Sequence, residues 1–180
     1  MEVTIEITDY CPNNCNYCST NAGLDKSEFL SRDAIKKFLE EVVQMDTGEI
    51  DRINISGGEP LAHHEFYDIL NLCKAYTKNT WVYTNAITQI IYNADIVKEI
   101  EVEANVCLVP GRSVYIPKKA DKIHLLQLVK QGRAKDMEPG KFHVSGNLSD
   151  GNGCGSCKDC DHVLLQADGK IVQAPCKKEY

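Results

Sequence analysis

A chain of 180 residues with 43% apolar content is long enough for one domain with a substantial core. Its net charge of −6 excludes a broad nucleic-acid-binding surface, and no window reaches the roughly 20 apolar residues of a membrane span. Nine cysteines, an odd total falling mostly in two clusters, favour metal or iron–sulfur ligation over a disulfide framework. The acidic, alternating N-terminal stretch is unlike a signal peptide, so a cytoplasmic location is expected.

Glu2 to Thr8 alternates apolar and polar residues and predicts the first strand. Cys11-Pro-Asn-Asn-Cys15-Asn-Tyr-Cys18 follows, with three thiols separated by gaps of three and two residues. Three ligands from one loop suit three irons of a [4Fe–4S] cube and leave the fourth iron open to an outside ligand. The alternative is a structural zinc, which wants a fourth ligand that the loop does not supply. Ser31 is placed as an N-cap, and Ile35, Phe38, Leu39, Val42 and Val43 predict a helix behind it.

Arg52 to Ser56 predicts the second strand, ending in Gly57-Gly58-Glu59-Pro60. Taken alone, that tetrad is a strand-to-helix turn, with glycines for unusual dihedrals and proline at a helix start. In a functional site the glycines would admit a ligand close to the backbone. Pro60 would bias Glu59 toward extended dihedrals, aiming a carboxylate at a cation such as an ammonium. A helix from about His64 to Lys78 carries Phe66, Ile69, Leu70, Cys73 and Tyr76 on one face. Thr80 to Tyr83 is a third strand, ending in Thr84-Asn85.

Further on, a helix is predicted over Ala86 to Ile100, a strand over Val102 to Val109, a helix over Asp121 to Lys130 and a short strand at Phe142 to Ser145. Strands alternating with helices predict a parallel sheet, whose ligands bind at the C-terminal strand ends. The thiols, the Gly-Gly-Glu-Pro turn and Thr84-Asn85 follow three successive strands, so all three fall on one rim.

Ser149 to Ser156 is a Gly-, Asn- and Ser-rich loop, and Cys154, Cys157 and Cys160 are spaced by two-residue gaps. His162 to Gln166 and Lys170 to Gln173 flank Ala167-Asp168-Gly169, a hairpin signal. With Asp168-Gly169 as the turn, Cys176 faces Asp161, next to Cys160. The four thiols Cys154, Cys157, Cys160 and Cys176 suit a second [4Fe–4S] cluster, or a zinc knuckle as the alternative. Cys73 and Cys107 are core residues by their positions on apolar faces. His63 and His64 are expected to cap a helix at the surface, and Arg112 to meet a carboxylate or phosphate. His143 and His162 are taken as structural.

The thiol loop after the first strand and Gly-Gly-Glu-Pro after the second resemble the radical SAM superfamily, with the order of elements matching through about residue 110. The resemblance implies that Cys11, Cys15 and Cys18 ligate a [4Fe–4S] cluster whose free iron takes the amino and carboxylate groups of S-adenosylmethionine. It implies that Tyr17 lies near the adenine, that Gly57, Gly58 and Glu59 hold the methionyl ammonium, and that Thr84 or Asn85 reaches the ribose or carboxylate. It also implies a low-potential electron donor of flavodoxin or ferredoxin type. The expected fold is α/β: a shortened partial (β/α) barrel of about four to five parallel strands, followed by a Cys-rich loop and hairpin.

Two domains follow from that division, a core over 1–147 and an extension over 148–180. The extension resembles the auxiliary-cluster (SPASM or twitch) extensions of some radical SAM enzymes, with partial likeness to the GTP 3′,8-cyclases of molybdopterin synthesis. The expected activity is reductive cleavage of S-adenosylmethionine and hydrogen abstraction from a substrate. A wide barrel mouth favours a peptide or protein partner, a glycyl-radical partner included. The alternatives are a nucleotide-modifying enzyme and a non-enzymatic Fe–S electron carrier. Gly-Gly-Glu-Pro speaks against the carrier, which has no need of an ammonium-binding carboxylate.

Overall fold

The computed structural model describes residues 1–45, 49–85, 103–113, 121–128, 132–138 and 162–173. β1 (Glu2–Glu6) leads through the thiol loop to α1 (Arg32–Met45), then β2 (Arg52–Ser56), a 3₁₀ turn (Pro60–Ala62), α2 (Phe66–Tyr76) and β3 (Thr80–Val82). β4 (Glu103–Leu108), β5 (Lys122–Gln127), a 3₁₀ turn (Gly132–Ala134), β6 (Val163–Leu165) and β7 (Ile171–Gln173) complete the order. The main sheet runs β3-β2-β1-β6-β7. All its pairs are parallel except the β6–β7 hairpin. β4 and β5 pair with each other in a second, parallel sheet. This is the α/β fold expected, a mostly parallel sheet backed by helices; among the described residues its strands do not close into a barrel.

Alternation in β1 sends Val3, Ile5 and Ile7 to one face, where Ile53 and Ile55 of β2 join them, all fully buried. α1 lays Ile35, Phe38, Leu39 and Val42 on that face, and α2 adds Phe66, Ile69, Leu72 and Cys73. Ser31 caps α1 as expected, its Oγ accepting the Ala34 N–H at 3.2 Å. Cys73 is a core residue, and burial pushes its thiol up to about 12. Among the described residues no helix is long and apolar enough to cross a membrane.

Two expectations change. The helix predicted over Asp121 to Lys130 is instead strand β5, in register with β4 from Glu103↔Lys122 to Leu108↔Gln127. A short apolar run fits either periodicity, and the partner strand decides. The hairpin pairs Val163↔Gln173 and Leu165↔Ile171, so paired positions sum to 336 rather than 337. Its turn takes three residues, Ala167 to Gly169, with Gly169 at φ 84° and its N–H bonded to Gln166 O. A three-residue loop with a left-handed glycine shifts the register by one. β6 also pairs with β1, so the hairpin covers what would be an open edge of the main sheet. The helix expected over Ala86 to Ile100 and the strand at Phe142 to Ser145 lie outside the described residues.

Candidate cofactor site on the sheet rim

β1, β2 and β3 run parallel, so the segments that follow them meet at one rim. There the chain after β2 seals against the chain after β1 by backbone alone. Gly58 N–H donates to Thr8 O at 2.6 Å, and Glu59 N–H to Tyr10 O at 2.9 Å. Gly57 sits at φ 129°, and a Cβ there would run into Thr8 O; one on Gly58 would run into Tyr10 O. Both glycines are therefore fixed by close approach.

That seam carries Glu59 into full burial. Its backbone is extended (φ −127°, ψ 102°), as Pro60 dictates. Oε1 accepts from Leu61 N–H at 3.0 Å and from the Thr84 hydroxyl at 2.7 Å, and Oε2 accepts from Asn85 N–H at 3.0 Å. All of these donors are neutral. Among the described residues no cation pairs with this carboxylate. A buried anion held only by neutral groups strongly favours a positive ligand.

The thiol loop starts one residue past the seam. Cys11 is nearly buried, while Cys15 and Cys18 are half-exposed, and all three are free thiols. Cys11 N–H donates to Gly23 O at 3.0 Å and Gly23 N–H to Asp9 O at 3.2 Å, closing the loop at its base. Asn14 and Asn21 take left-handed φ values of 42° and 57°, which asparagine tolerates. Asn85 Nδ2 approaches Cys11 Sγ at 3.9 Å, and Thr20 Oγ1 lies 3.3 Å from Cys18 Sγ.

Among the described residues no three His, Cys, Asp or Glu side chains converge tightly enough to hold one metal ion.

The second sheet supplies the loop's other wall. Arg112, past β4, donates from Nη2 to Asn16 Oδ1 at 3.0 Å and lies 4.9 Å from the centre of the Tyr17 ring. Its partners are therefore in the thiol loop itself. Burial, then a hydrogen bond with Cys15, raises the Tyr17 phenol above its usual range. Arg133 donates from Nε to Cys15 O at 2.7 Å, from Nη2 to Ala22 O at 2.6 Å and from its backbone N–H to Cys18 O at 2.9 Å. Sequence reasoning passed over Gly132 and Arg133; a Gly-Arg-Ala step shortly past a strand carries no signal of its own.

The rim thus gathers Cys11, Cys15, Cys18, Tyr17, Gly57, Gly58, Glu59, Thr84 and Asn85. Thr84 bonds Glu59 through its hydroxyl and Asn85 through its backbone N–H. Cys154, Cys157, Cys160 and Cys176, with His143, lie outside the described residues. Cys107 packs beside a small core of Val109, Leu128 and Ala134. His63 departs from the surface cap expected of it: it is 3% exposed. Its Nε2–H donates to Leu30 O at 2.9 Å and its Nδ1 accepts the Glu65 N–H at 3.0 Å. Burial lowers its pKa, and the imidazole serves two backbone groups. His162 bonds Thr4 Oγ1 at 2.7 Å.

Residues 5–123 match the family model of the radical SAM superfamily. Over 92 residues, 51% of this chain, it is 36% identical to a PqqA peptide cyclase of Bradyrhizobium diazoefficiens and 29% identical to one of Rhodopseudomonas palustris. Over 71 residues, 38% of this chain, it is 35% identical to a GTP 3′,8-cyclase of Listeria welshimeri. The matched stretches span only 20–22% of those relatives' lengths. The family match covers both the thiol loop and the seam that buries Glu59, and this chain belongs to the radical SAM superfamily.

Proposed function

We propose that Cys11, Cys15 and Cys18 hold a [4Fe–4S] cluster with S-adenosylmethionine beside it, and that the chain is an enzyme acting on a peptide or protein substrate. When bound, these groups supply reductive cleavage of the sulfonium to a 5′-deoxyadenosyl radical that abstracts hydrogen from the substrate. The observation that carries this proposal is Glu59, a fully buried carboxylate beside the thiol loop with only neutral donors. It is the partner that a methionyl ammonium needs.

Gly57 and Gly58 hold the seam that sets Glu59 against Tyr10 and hence against Cys11. Thr84 and Asn85 fix the carboxylate, and Asn85 also reaches toward Cys11 Sγ. Tyr17, steadied by Arg112, offers a ring face to the adenine. The two relatives named PqqA peptide cyclase support a peptide substrate. The likeness to a GTP 3′,8-cyclase favours a nucleotide as the second reading. The proposal includes the division into a core over 1–147 and an extension over 148–180. In that extension Cys154, Cys157, Cys160 and Cys176 bind a second [4Fe–4S] cluster, or zinc. A flavodoxin- or ferredoxin-type donor in the cytoplasm supplies the electron.

The test is anaerobic reconstitution with iron and zinc counting, then a dithionite assay for 5′-deoxyadenosine. The wild type is expected to form it, and Cys15→Ala to lose it while keeping any metal bound elsewhere. Persistence of the product in Cys15→Ala shows the site assignment to be wrong. Deuterium transfer into 5′-deoxyadenosine from labelled peptide, or from labelled GTP, separates the two substrate classes.

A further inference from the structure

Arg133 lies outside the residues that match the family model, yet both its side chain and its backbone reach the thiol loop. Its guanidinium serves Cys15 O and Ala22 O, and its backbone N–H serves Cys18 O. These carbonyls belong to a segment without regular secondary structure, where each needs a partner. The planar guanidinium suits this task, because its N–H groups leave one rigid fork in divergent directions.

Gly132 makes the approach possible. It sits at φ 55°, and a Cβ on it would lie 2.5 Å from Ser19 O and 2.6 Å from Cys18 O. Ala134, fully buried with Val109 and Leu128, anchors the same turn in the second sheet's core. The clamp is thus rooted in one sheet and closes on a loop rooted in the other.

We propose that Gly132 and Arg133 form a clamp that sets the spread of the three thiols and places a fixed positive charge beside them, making Arg133 a positioning residue for the cluster. This rests on the proposed cluster at Cys11, Cys15 and Cys18. Two separable effects follow. The fork holds the loop in its cluster-accepting shape even before iron arrives. The charge favours the more negative, reduced state of anything the thiolates hold, so it raises that group's midpoint potential.

The experiment compares wild type, Arg133→Ala and Arg133→Lys. Amide exchange is followed by NMR in the iron-free chains, and iron content and midpoint potential are measured after anaerobic reconstitution. In Arg133→Ala, exchange at the Cys18 and Gly23 amides is expected to quicken at least about tenfold, while the α1 amides stay at wild-type rates and report an intact fold. Iron retained should fall by half or more, and the remaining cluster should titrate at a more negative potential. Lysine keeps the charge without the fork, so Arg133→Lys should keep the wild-type potential but still exchange fast and lose iron.

Wild-type iron, exchange and potential in Arg133→Ala overturn the clamp while leaving the cluster assignment intact. Full rescue of iron retention by lysine overturns the role of the fork. A wild-type chain that takes up no iron overturns the cluster assignment itself, and with it this role for Arg133.

Discussion

The thiol loop is held on two sides by different means. Toward the main sheet the contact is backbone on backbone: Gly58 to Thr8 and Glu59 to Tyr10, with two glycines removing anything that would hold the strands apart. Toward the second sheet the contact is long side chains on backbone and ring, through Arg112 and Arg133. The first contact has no slack. A guanidinium on a flexible stem can follow its carbonyls through small shifts, whereas a glycine seam cannot absorb one methyl group. The seam therefore fixes where Glu59 stands relative to Cys11, and the arginines adjust the loop's curvature around that fixed point.

The harshest way to break this asymmetry is Gly58→Ala. The new Cβ meets the backbone of Tyr10 and Asp9, with Tyr10 C at 2.6 Å and Asp9 C at 2.9 Å, and no rotamer relieves it. Overpacking costs about 1–3 kcal/mol, and the two seam hydrogen bonds add about 1 kcal/mol each. A loss of about 3–5 kcal/mol is expected in urea unfolding, together with loss of S-adenosylmethionine binding. A midpoint within experimental error of wild type would show that the seam yields after all.

Glu59→Gln acts at the same place without moving the backbone, and it separates charge from packing. An amide offers one acceptor oxygen where the carboxylate offers two, so either the Leu61 and Thr84 donors or the Asn85 donor lose their partner. That costs about 1 kcal/mol, partly offset because a buried anion disappears. The ammonium loses a charge-assisted partner, so the dissociation constant for S-adenosylmethionine should rise about 10- to 100-fold. Isothermal titration of the reconstituted protein checks this. An unchanged constant with lowered stability would make Glu59 a structural residue only.

Much of this layout was readable beforehand, and what escaped has a common cause. Ser31, the alternation in β1 and β2 and the Gly-Gly-Glu-Pro turn are local signals, each carried within a few residues, and they placed the first βαβα elements and the rim. Glu59 was legible because Pro60 constrains its own neighbour. β5 was not, since Lys122 to Gln127 becomes a strand only by pairing with β4. The hairpin was recognised from Asp168-Gly169, but its register was set by a three-residue turn that the sequence does not distinguish from a two-residue one. His63 and Arg133 escaped because their partners are backbone carbonyls 33 and 118 residues away, and a carbonyl carries no sequence signature.

The gentlest probe lies where the hairpin meets the seam side of the rim. Glu6, the last residue of β1, is pushed up to about 7 by burial first, then by Asp168 in the hairpin turn and by Asp9, against a backbone hydrogen bond from Ala167 that lowers it. A carboxyl whose folded pKa exceeds its unfolded value, 4.5, makes its full contribution to stability below about 4.5. That contribution declines as pH rises and is gone above about 7. Taken at face value the shift is roughly 3 kcal/mol; partial exposure at the rim brings the expected effect to about 1–2 kcal/mol. Glu6→Gln, which stays neutral, should therefore stabilise the protein at pH 8 and have almost no effect near pH 4.5, as read from urea midpoints across that range. Asp168→Asn should recover a smaller part, because burial rather than repulsion is the larger cause. A Glu6→Gln gain that does not depend on pH would mean that the side chain matters here for its packing, and that the hairpin turn sits against β1 without an electrostatic cost.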